Sequence, residues 1–512
     1  MRRCAVGGAP RGVRGYRGPV TQRVRVCIVG AGFSGIAAAI DLRRAGVTDL
    51  VIVDRGHEVG GAWRDNTYPG CACDVQSRLY ELSVAPSSDW SRKFAGQEEI
   101  AAYLRSVVEI FGLEPSLRLD CDVLHAQWSE DDLAWHVETS RGHVIADVLI
   151  SACGGLTEPH VPDVEGASDF GGVMLHSARW DHDVDLDGAR VAVIGTGASA
   201  IQIVPALASR VGSLVVMQRT PAWIMPRGDR AVPRWWRRAL GALPPLQRAS
   251  REMTSWAREL QLLAFTRQGV FATLAERMAR RHLDKQVTDE SLRTRLTPTY
   301  DIGCKRILIS DDFYPAVQRP NVTVTGALGR ITEFGVIDDD GVEHPVDVIV
   351  WATGFRVLDP PLAGRVVGRQ DRTLAEEFAL TGMSAYLGTT VAGFPNLYLL
   401  QGPNTGLGHS SVVLMSEAQI GYAVPAVASG YVLEPRADRQ QAYVASLDER
   451  LAHTVWQQGG CLSWYQNGQG RNVALWPGST HGFARQMRRF DPQAYRVRRA
   501  RSRKAGDHVA TG

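Results

Sequence analysis

The sequence predicts an α/β fold with two Rossmann-like dinucleotide-binding domains and a helical insertion in the second of them. Two Gly-rich turns, Gly30–Gly35 and Gly195–Ala200, each follow a short apolar strand and open a helical pattern. A second apolar strand follows each helix, at 50–53 and 213–217. From 226 to 295 the composition shifts to Arg, Leu, Ala and Trp with helical spacing, which indicates an inserted helical subdomain.

The first unit has a strand at 23–29, a helix at 34–45 and an acid, Asp54, 24 residues after the first glycine of the turn. One glycine permits the tight turn, the next lets backbone amides approach a pyrophosphate, and the third allows close packing of helix on strand. The phosphates then lie at the helix N-terminus and Asp54 accepts a hydrogen bond from a ribose hydroxyl. The three glycines are Gly30, Gly32 and Gly35. As the first of the two units, this one is predicted to bind FAD.

The second unit repeats this design with a different residue at the end of its second strand. Gly195 and Gly197 take the two turn positions, and Arg219, followed by Thr220, lies 24 residues after Gly195. An Arg at this position accommodates a 2′-phosphate, which an Asp would repel. The sequence therefore predicts NADPH rather than NADH; the alternative is a surface Arg that merely ends a strand.

The composition is that of a globular enzyme without a membrane span. Of 512 residues, 45% are hydrophobic and 22% charged, and no run of 18 apolar residues occurs. Residues 1–23 carry six Arg and no acid, and residues 485–512 carry nine Arg or Lys against two Asp. We interpret these ends as solvated basic tails, with no nucleic-acid partner and no secretory signal. A cytoplasmic monomer or homodimer is expected.

The eight cysteines show no C-x-x-C pair and no metal-ligand spacing with histidine. We therefore expect reduced thiols and no bound metal, and the absence of a C-x-x-C pair argues against a disulfide reductase, a class that shares the two-nucleotide fold. The cysteines occupy positions 4, 27, 71, 73, 121, 153, 304 and 461.

A stretch between the two Gly-rich turns has the pattern F-x-G-x3-H-x3-W-D. Its fixed positions are Phe170, Gly172, His176, Trp180 and Asp181. The pattern resembles the fingerprint of the Baeyer–Villiger monooxygenases, a branch of the class B flavoprotein monooxygenases. The resemblance implies that this stretch is a hinge, in which His176 and Trp180 couple the two domains rather than contact the substrate.

Further segments resemble the same family. Residues 60–74 match G-G-x-W-x4-[FY]-P-G-x3-D, which includes Trp63 as a cofactor contact and Asp74 at its end. Residues 296–306 resemble the segment with the family's catalytic arginine. This implies that Arg306 is the active-site cation, that Lys305 is a further NADP phosphate contact, and that Asp74 holds Arg306 in place.

Two later segments complete the resemblance. Residues 401–411 precede a helical pattern at 412–428, whose N-terminal amides are expected to face the flavin, with His409 in a structural role. Residues 462–472 resemble the family's mobile loop, which implies that Trp464 folds over the nicotinamide cofactor.

The resemblance implies an FAD- and NADPH-dependent Baeyer–Villiger monooxygenase. Such an enzyme inserts one atom of O2 beside a ketone carbonyl, through a C4a-peroxyflavin, and gives an ester or lactone. One alternative is a related flavin monooxygenase that oxygenates N or S atoms. Others are an NADPH-dependent flavin oxidase or reductase, and a non-catalytic nucleotide-binding protein. The implied partners are a small-molecule ketone and O2.

The predicted domain order interleaves the two units. We expect a basic tail at 1–22, FAD domain at 23–155 and 351–490, NADP domain at 156–225 and 296–350, helical insertion at 226–295, and basic tail at 491–512.

Overall fold

The computed structural model describes residues 22–260, 262 and 269–499, and most of its strands lie in two main sheets, with seven more in three small sheets. In chain order the strands are β1 Gln22–Val29, β2 Leu50–Val53, β3 Leu117–Arg118, β4 Val123–Ser129, β5 Ala134–Thr139, β6 Gly142–Ser151, β7 Val173–His176, β8 Arg190–Ile194, β9 Ser213–Met217, β10 Ile224–Met225, β11 Leu308–Ile309, β12 Val322–Thr325, β13 Leu328–Ile331, β14 Gly335–Asp338, β15 Glu343–Pro345, β16 Val348–Trp351, β17 Val366–Val367, β18 Leu397–Leu399, β19 Tyr431–Pro435 and β20 Tyr495–Arg499.

Helices cover the sheets and build the insertion. They are α1 Phe33–Arg44, α2 Ala62–Asp65, α3 Gln97–Ile110, α4 Ala200–Leu207, α5 Arg234–Ala242, α6 Pro244–Glu259, α7 Val270–Gln286, α8 Glu290–Arg295, α9 Phe313–Ala316, α10 Leu374–Thr381, α11 Val412–Ala428, α12 Ala437–Leu451, α13 Val455–Gln458 and α14 Thr480–Met487. The predicted helix at 412–428 is observed with the same bounds, as α11. In the part of the chain that the structure describes, no helix is long and apolar enough to cross a membrane.

The first sheet has the strand order β17-β4-β5-β6-β1-β2-β3, and β18 also pairs with β6. Its central strand β1 is parallel to β2 and β6. Both faces of β1 are buried: Val26 and Ile28 pack with α1, whereas Cys27 and Val29 pack in a cluster on the other side. Burial on both faces explains why the strand reads as a continuous apolar run rather than an alternating pattern.

The second sheet is parallel and has the order β12-β9-β8-β16-β7. Strand β16 joins β8 to the edge strand β7 and lines up Val348 with both Val191 and Val173. The sequence-based fold class, two Rossmann-like domains with a helical insertion, is confirmed. Strands at 190–194 and 213–217 appear with the predicted bounds.

The insertion folds back onto the first domain through its helix α6. Arg251 pairs with Glu417 at 3.3 Å, and the Ser250 hydroxyl accepts a hydrogen bond from Arg78 at 2.8 Å. Because α6 docks in this way, side chains near its C-terminal end reach the space between the two sheets.

The predicted C-terminal tail starts too early in the sequence. Tyr495–Arg499 form β20, which pairs antiparallel with β19, and Tyr495 is buried. Burial of the Tyr495 ring stabilises this strand, and the basic composition of the segment gave no indication of it. Residues 500–512, and residues 1–21 of the predicted N-terminal tail, lie outside the described residues.

Candidate active site

The first Gly-rich turn has the backbone geometry of a dinucleotide site. Gly30 has φ +111°, and a Cβ there would lie 2.5 Å from the carbonyl oxygen of Ala152. A Cβ on Gly35 would lie 1.9 Å from the oxygen of Gly30, whereas one on Gly32 would meet nothing closer than 3.6 Å. Two glycines are therefore required by packing, and the third leaves an open approach to the backbone.

Asp54 is more deeply engaged with the protein than the sequence indicated. Its carboxylate is buried and accepts hydrogen bonds from the backbone amides of Ala31 and Gly56 and from Arg64 Nη1, each at 2.7 Å. Arg64, which sequence reasoning missed, therefore neutralises this acid at the edge of the first unit. The predicted contact of Asp54 with a ribose hydroxyl stays a prediction.

The second turn repeats the geometry and opens towards solvent-accessible space. Gly195 has φ +110°, and its Cβ would lie 2.8 Å from the oxygen of Ala352, but a Cβ on Gly197 would meet nothing within 4 Å. Thr196 Oγ1 donates to the carbonyl oxygen of Thr220 at 3.1 Å, which ties the turn to the end of the second strand.

Two cations, Arg219 and Lys305, line the cavity beside this turn. Burial, followed by the nearby charge of Arg219, lowers the pKa of Lys305. The Lys305 ammonium also lies 5.1 Å from the ring centroid of Tyr300. Two mutually repelling cations in a cavity wall form a site suited to a phosphate dianion.

A single cavity of about 960 Å³ joins the two units. The predicted site residues in its lining are Trp63, Asp74, Gly195, Gly197, Arg219, Thr220, Lys305, Arg306 and Trp464. The predicted residues of the first turn, Gly30, Gly32, Gly35 and Asp54, lie outside this lining. The cavity thus brings together residues from both sheets, the segment before β11 and the loop after α13.

Asp74 and Arg306 form an ion pair in the cavity wall. Arg306 Nε donates to Asp74 Oδ2 at 2.8 Å, and Nη2 lies 2.6 Å from the same oxygen. Burial alone would raise the pKa of Asp74, but Arg306, with a smaller contribution from Arg258, brings it below its ordinary value. The charge of Asp74 in turn raises the pKa of Arg306, so both groups are ionised at neutral pH.

The insertion supplies a second arginine at this pair, which the sequence did not reveal. Arg258, near the end of α6, donates through Nη2 to the backbone oxygen of Asp74 at 2.8 Å and through Nε to Gln76 at 2.7 Å. Burial and the charge of Arg306 both act on Arg258, whose pKa is lowered overall. A basic residue on a helix with many arginines offered no sequence signal for this placement.

The next residue on α6 holds the segment before α11. Glu259 Oε2 lies 3.5 Å from Nε2 of the buried His409, and Glu259 Oε1 accepts from the amide of Thr480 at 3.0 Å. Arg258 and Glu259 together place the end of the insertion against the cavity floor, where Arg306, Asp74 and His409 also surround a small polar void.

The fingerprint stretch forms β7 and the turn after it, beside both chain crossings between domains. The two crossings run side by side, since the His160 amide donates to Gly354 at 2.9 Å and Pro159 bridges to Phe355. His176, at the end of β7, pairs with Trp351 at the end of β16, just before the second crossing. Its ring lies 6.1 Å from that of Phe355, and its Nδ1 accepts from the Ala178 amide at 3.0 Å.

The other fingerprint residues fix the surroundings of His176. A Cβ on Gly172 would lie 2.2 Å from the oxygen of Asp347 and 2.6 Å from the ring of Phe170. Trp180 packs against the core of the second sheet, and Asp181 is exposed and accepts from the Asp183 amide at 2.9 Å. The hinge role stays a prediction.

The expectation of reduced thiols is wrong for one pair of cysteines. Cys304 and Cys461 are joined by a disulfide with a Cα–Cα distance of 6.2 Å, across 157 positions of sequence. Their separation in the chain concealed the pairing, because only the tertiary fold brings the two segments together. The free cysteines among the described residues are Cys27, Cys71, Cys73, Cys121 and Cys153.

Comparison with known proteins agrees with this geometry. Residues 27–230 match the family model of pyridine nucleotide-disulphide oxidoreductases. A Baeyer–Villiger monooxygenase of Streptomyces coelicolor is 47% identical over 96% of each chain. One of Pseudomonas aeruginosa is 44% identical over 93% of this chain and 92% of its own. Among solved structures, a steroid monooxygenase bound to NADP superimposes with a TM-score of 0.81 at 28% identity, covering 93% of this chain and 99% of the other. The chain belongs to the Baeyer–Villiger monooxygenases, the FAD- and NADP-dependent enzymes whose fingerprint it contains.

Proposed function

We propose that the Asp74–Arg306 pair is the centre at which this monooxygenase inserts oxygen beside a ketone carbonyl to give an ester or lactone. The observation that carries the proposal is the position of this pair. It lies in one cavity with Trp63 from the first domain and Arg219 from the second. An ionised guanidinium between two dinucleotide sites can act on the reacting ends of both.

FAD, when bound, supplies the activation of O2, and the protein supplies position and charge. The guanidinium of Arg306 stays protonated during turnover and stabilises negative charge that develops on the oxygen atoms. Asp74 orients Arg306 through Nε and Nη2, which leaves Nη1, 3.4 Å from the carbonyl oxygen of Leu407, on the other edge of the guanidinium.

The nicotinamide cofactor is assigned to the second turn. Gly197 leaves room for the pyrophosphate, and Arg219 with Lys305 receives a 2′-phosphate. Trp464, 47% exposed at the cavity mouth, is positioned to fold over the cofactor and exclude water.

A second candidate function is oxygenation of a soft N or S atom by the same cavity. A ketone is favoured because relatives that oxygenate N or S usually have a fingerprint without the final Trp and Asp, which are present here as Trp180 and Asp181. Binding of a small-molecule ketone, a monomeric or homodimeric state and a cytoplasmic location remain predictions from the sequence.

Stopped-flow spectroscopy of the FAD-loaded protein tests the proposal. The flavin is reduced with NADPH and mixed with oxygenated buffer, with and without cyclic, aryl and steroidal ketones. A long-lived absorbing flavin species that decays faster with one ketone, together with the ester by mass spectrometry, is expected. Immediate return to oxidised flavin with stoichiometric hydrogen peroxide, whatever the ketone, would contradict oxygen insertion. Faster decay with sulfides or amines alone would favour the second candidate.

A further inference from the structure

We propose that Cys304 and Cys461 form a reversible redox site that locks the Trp464 loop against the Arg306 segment. The pair joins two elements that the reaction uses. Cys304 stands two residues before Arg306, and Cys461 stands three residues before Trp464. Residues directly after each cysteine line the cavity: Lys305 and Arg306 on one side, Leu462, Ser463 and Trp464 on the other.

One arm of the crosslink is rigid. Cys304 is buried in an apolar cluster with Tyr300, Ile302, Trp456 and Tyr465. The amide of Asp301 also donates to the carbonyl oxygen of Gly459 at 3.1 Å. Packing of this density holds the Cys304 side of the bond in place whether or not the bond is formed.

The other arm is the short exposed segment 462–464, which lies between Cys461 and the buried Tyr465. Leu462 is 87% exposed and Trp464 47% exposed. The far end of the loop is anchored at Asn472, whose oxygen atoms accept from Asn404 Nδ2 at 3.0 Å and from the Leu475 amide at 3.0 Å. Nearer to Cys461, the buried Tyr465 packs in the same cluster as Cys304, so residues 462–464 lie between the covalent anchor and the next packed side chain.

Breaking the disulfide releases the first of these anchors. The residues that precede Trp464 then sample more conformations, and cofactor binding must order them again. Since the loop is expected to close over the nicotinamide cofactor, reduction weakens NADP⁺ binding and loosens the closed state. The crosslink thus acts on the cofactor through the loop, without touching it.

The chemistry balances with simple thiol reagents. On oxidation the two thiols lose two protons and two electrons and form one S–S bond, while hydrogen peroxide accepts them and becomes two water molecules. On reduction a dithiol attacks, the S–S bond breaks, and the dithiol leaves as its own disulfide. Cys461 is partly exposed whereas Cys304 is buried, so we expect a reagent to attack at Cys461. Burial raises the pKa of the Cys27 and Cys153 thiols to about 12, which keeps them unreactive.

The test compares the FAD-loaded holoenzyme after treatment with hydrogen peroxide and after treatment with dithiothreitol that is then removed. Alkylation and peptide mapping report the bond, hydrogen exchange reports residues 462–464, and fluorescence titration reports NADP⁺ affinity. We expect a linked 304–461 peptide in the oxidised sample alone. Exchange of the loop should be slower in that sample, and NADP⁺ binding tighter by roughly fivefold or more.

Variants separate the crosslink from general effects of the reagents. Cys304→Ser and Cys461→Ser should behave as the reduced enzyme under both treatments. Cys121→Ser, at a buried cysteine packed in the first domain, should keep the full response. Free thiols at both positions after oxidation, or a linked peptide with unchanged loop exchange and NADP⁺ affinity, would overturn the inference.

The cofactor effect rests on the proposed role of Trp464, whereas the bond and the loop exchange do not depend on activity. The two ideas can therefore fail separately. A redox response in an enzyme that oxygenates no ketone would contradict the proposed function and leave this inference standing. Ketone oxygenation with identical loop exchange and NADP⁺ affinity in both redox states would do the opposite.

Discussion

Arg306 and Asp74, 232 positions apart in the chain, meet through two contacts from Nε and Nη2 to a single carboxylate oxygen, at 2.8 and 2.6 Å. This fork requires a planar guanidinium, which an ammonium group cannot replace. The relationship joins the Gly-rich loop of the first domain to the segment that leaves the insertion. It therefore depends on the docking of one domain on the other.

Replacement of Arg306 should abolish oxygen insertion and leave the fold intact. For Arg306→Ala we expect ester formation to fall by about 10²-fold or more, because the cation that stabilises developing negative charge is lost. Arg306→Lys should recover little, since it keeps a charge but not the fork to Asp74. The measurement is ester formed per NADPH consumed, with FAD content as the folding control. Wild-type coupling in Arg306→Lys would contradict a role for the fork.

Arg258 should influence the pKa of Asp74 in the Asp74–Arg306 pair. In Arg258→Gln the carboxylate loses a neighbouring cation, so the pKa of Asp74 should rise and the acid limb of the kcat profile should shift to higher pH. The KM for NADPH should change little, because Arg258 lies on the Asp74 side of the cavity. Arg251→Gln is the matched control, since Arg251 docks the same helix through Glu417. An identical pH shift in both variants would show that Arg258 acts only by docking helix α6 on the first domain.

Cofactor preference should depend on Arg219 and Lys305. Loss of either cation removes a charge-assisted contact to the 2′-phosphate, worth about 1.5–3 kcal/mol, so the KM for NADPH should rise roughly 10- to 100-fold in Arg219→Ala or Lys305→Ala. NADH, which has no 2′-phosphate, should be used as before. Steady-state kinetics with both cofactors check this, and parallel losses for NADH and NADPH would refute a phosphate contact.

Two glycines form a matched pair for testing the turns. Gly35→Ala should give protein with little FAD, because the new Cβ would lie 1.9 Å from the Gly30 oxygen and force helix α1 away from β1. Gly197→Ala should fold and bind FAD normally, since its Cβ would meet nothing within 4 Å, yet bind NADPH more weakly. The ratio of flavin to protein absorbance and the KM for NADPH are the readouts. Normal FAD content in Gly35→Ala would show that the turn tolerates displacement.

His176 should make stability depend on pH. Burial lowers its pKa to about 4, below its ordinary value near 6.5, so between these values the unfolded chain binds a proton that the folded protein does not. The part of the free energy of unfolding that depends on neutral His176 is therefore fully present above about pH 6.5 and is lost as the pH falls towards 4. His176→Asn keeps an acceptor for the Ala178 amide and does not titrate, so its urea midpoint should fall less than wild type between pH 7.5 and 5. His453→Asn, at an exposed histidine, is the control and should follow wild type.

Several strands and helices could be predicted from the pattern of apolar residues in the sequence. The strand at 50–53 and the helix at 412–428 are observed as predicted, because an apolar run beside a Gly-rich turn or with helical spacing has one good way to bury itself. The required glycines, Gly30, Gly35 and Gly195, could also be identified, since their backbone geometry excludes a side chain. The family resemblance indicated Asp74 and Arg306 as partners.

The tertiary structure decided every relationship between distant segments. Arg258 reaches Asp74 because helix α6 docks on the first domain, and nothing in an Arg-rich helix marks one arginine as the partner of Asp74. Cys304 and Cys461 pair across 157 residues, and β20 forms because Tyr495 finds an apolar site beside β19. Hydrophobic periodicity indicates which face of an element is buried, but it does not indicate which other element packs against that face. The sequence alone therefore determined the two nucleotide-binding units, and the packing between them decided how the site is completed.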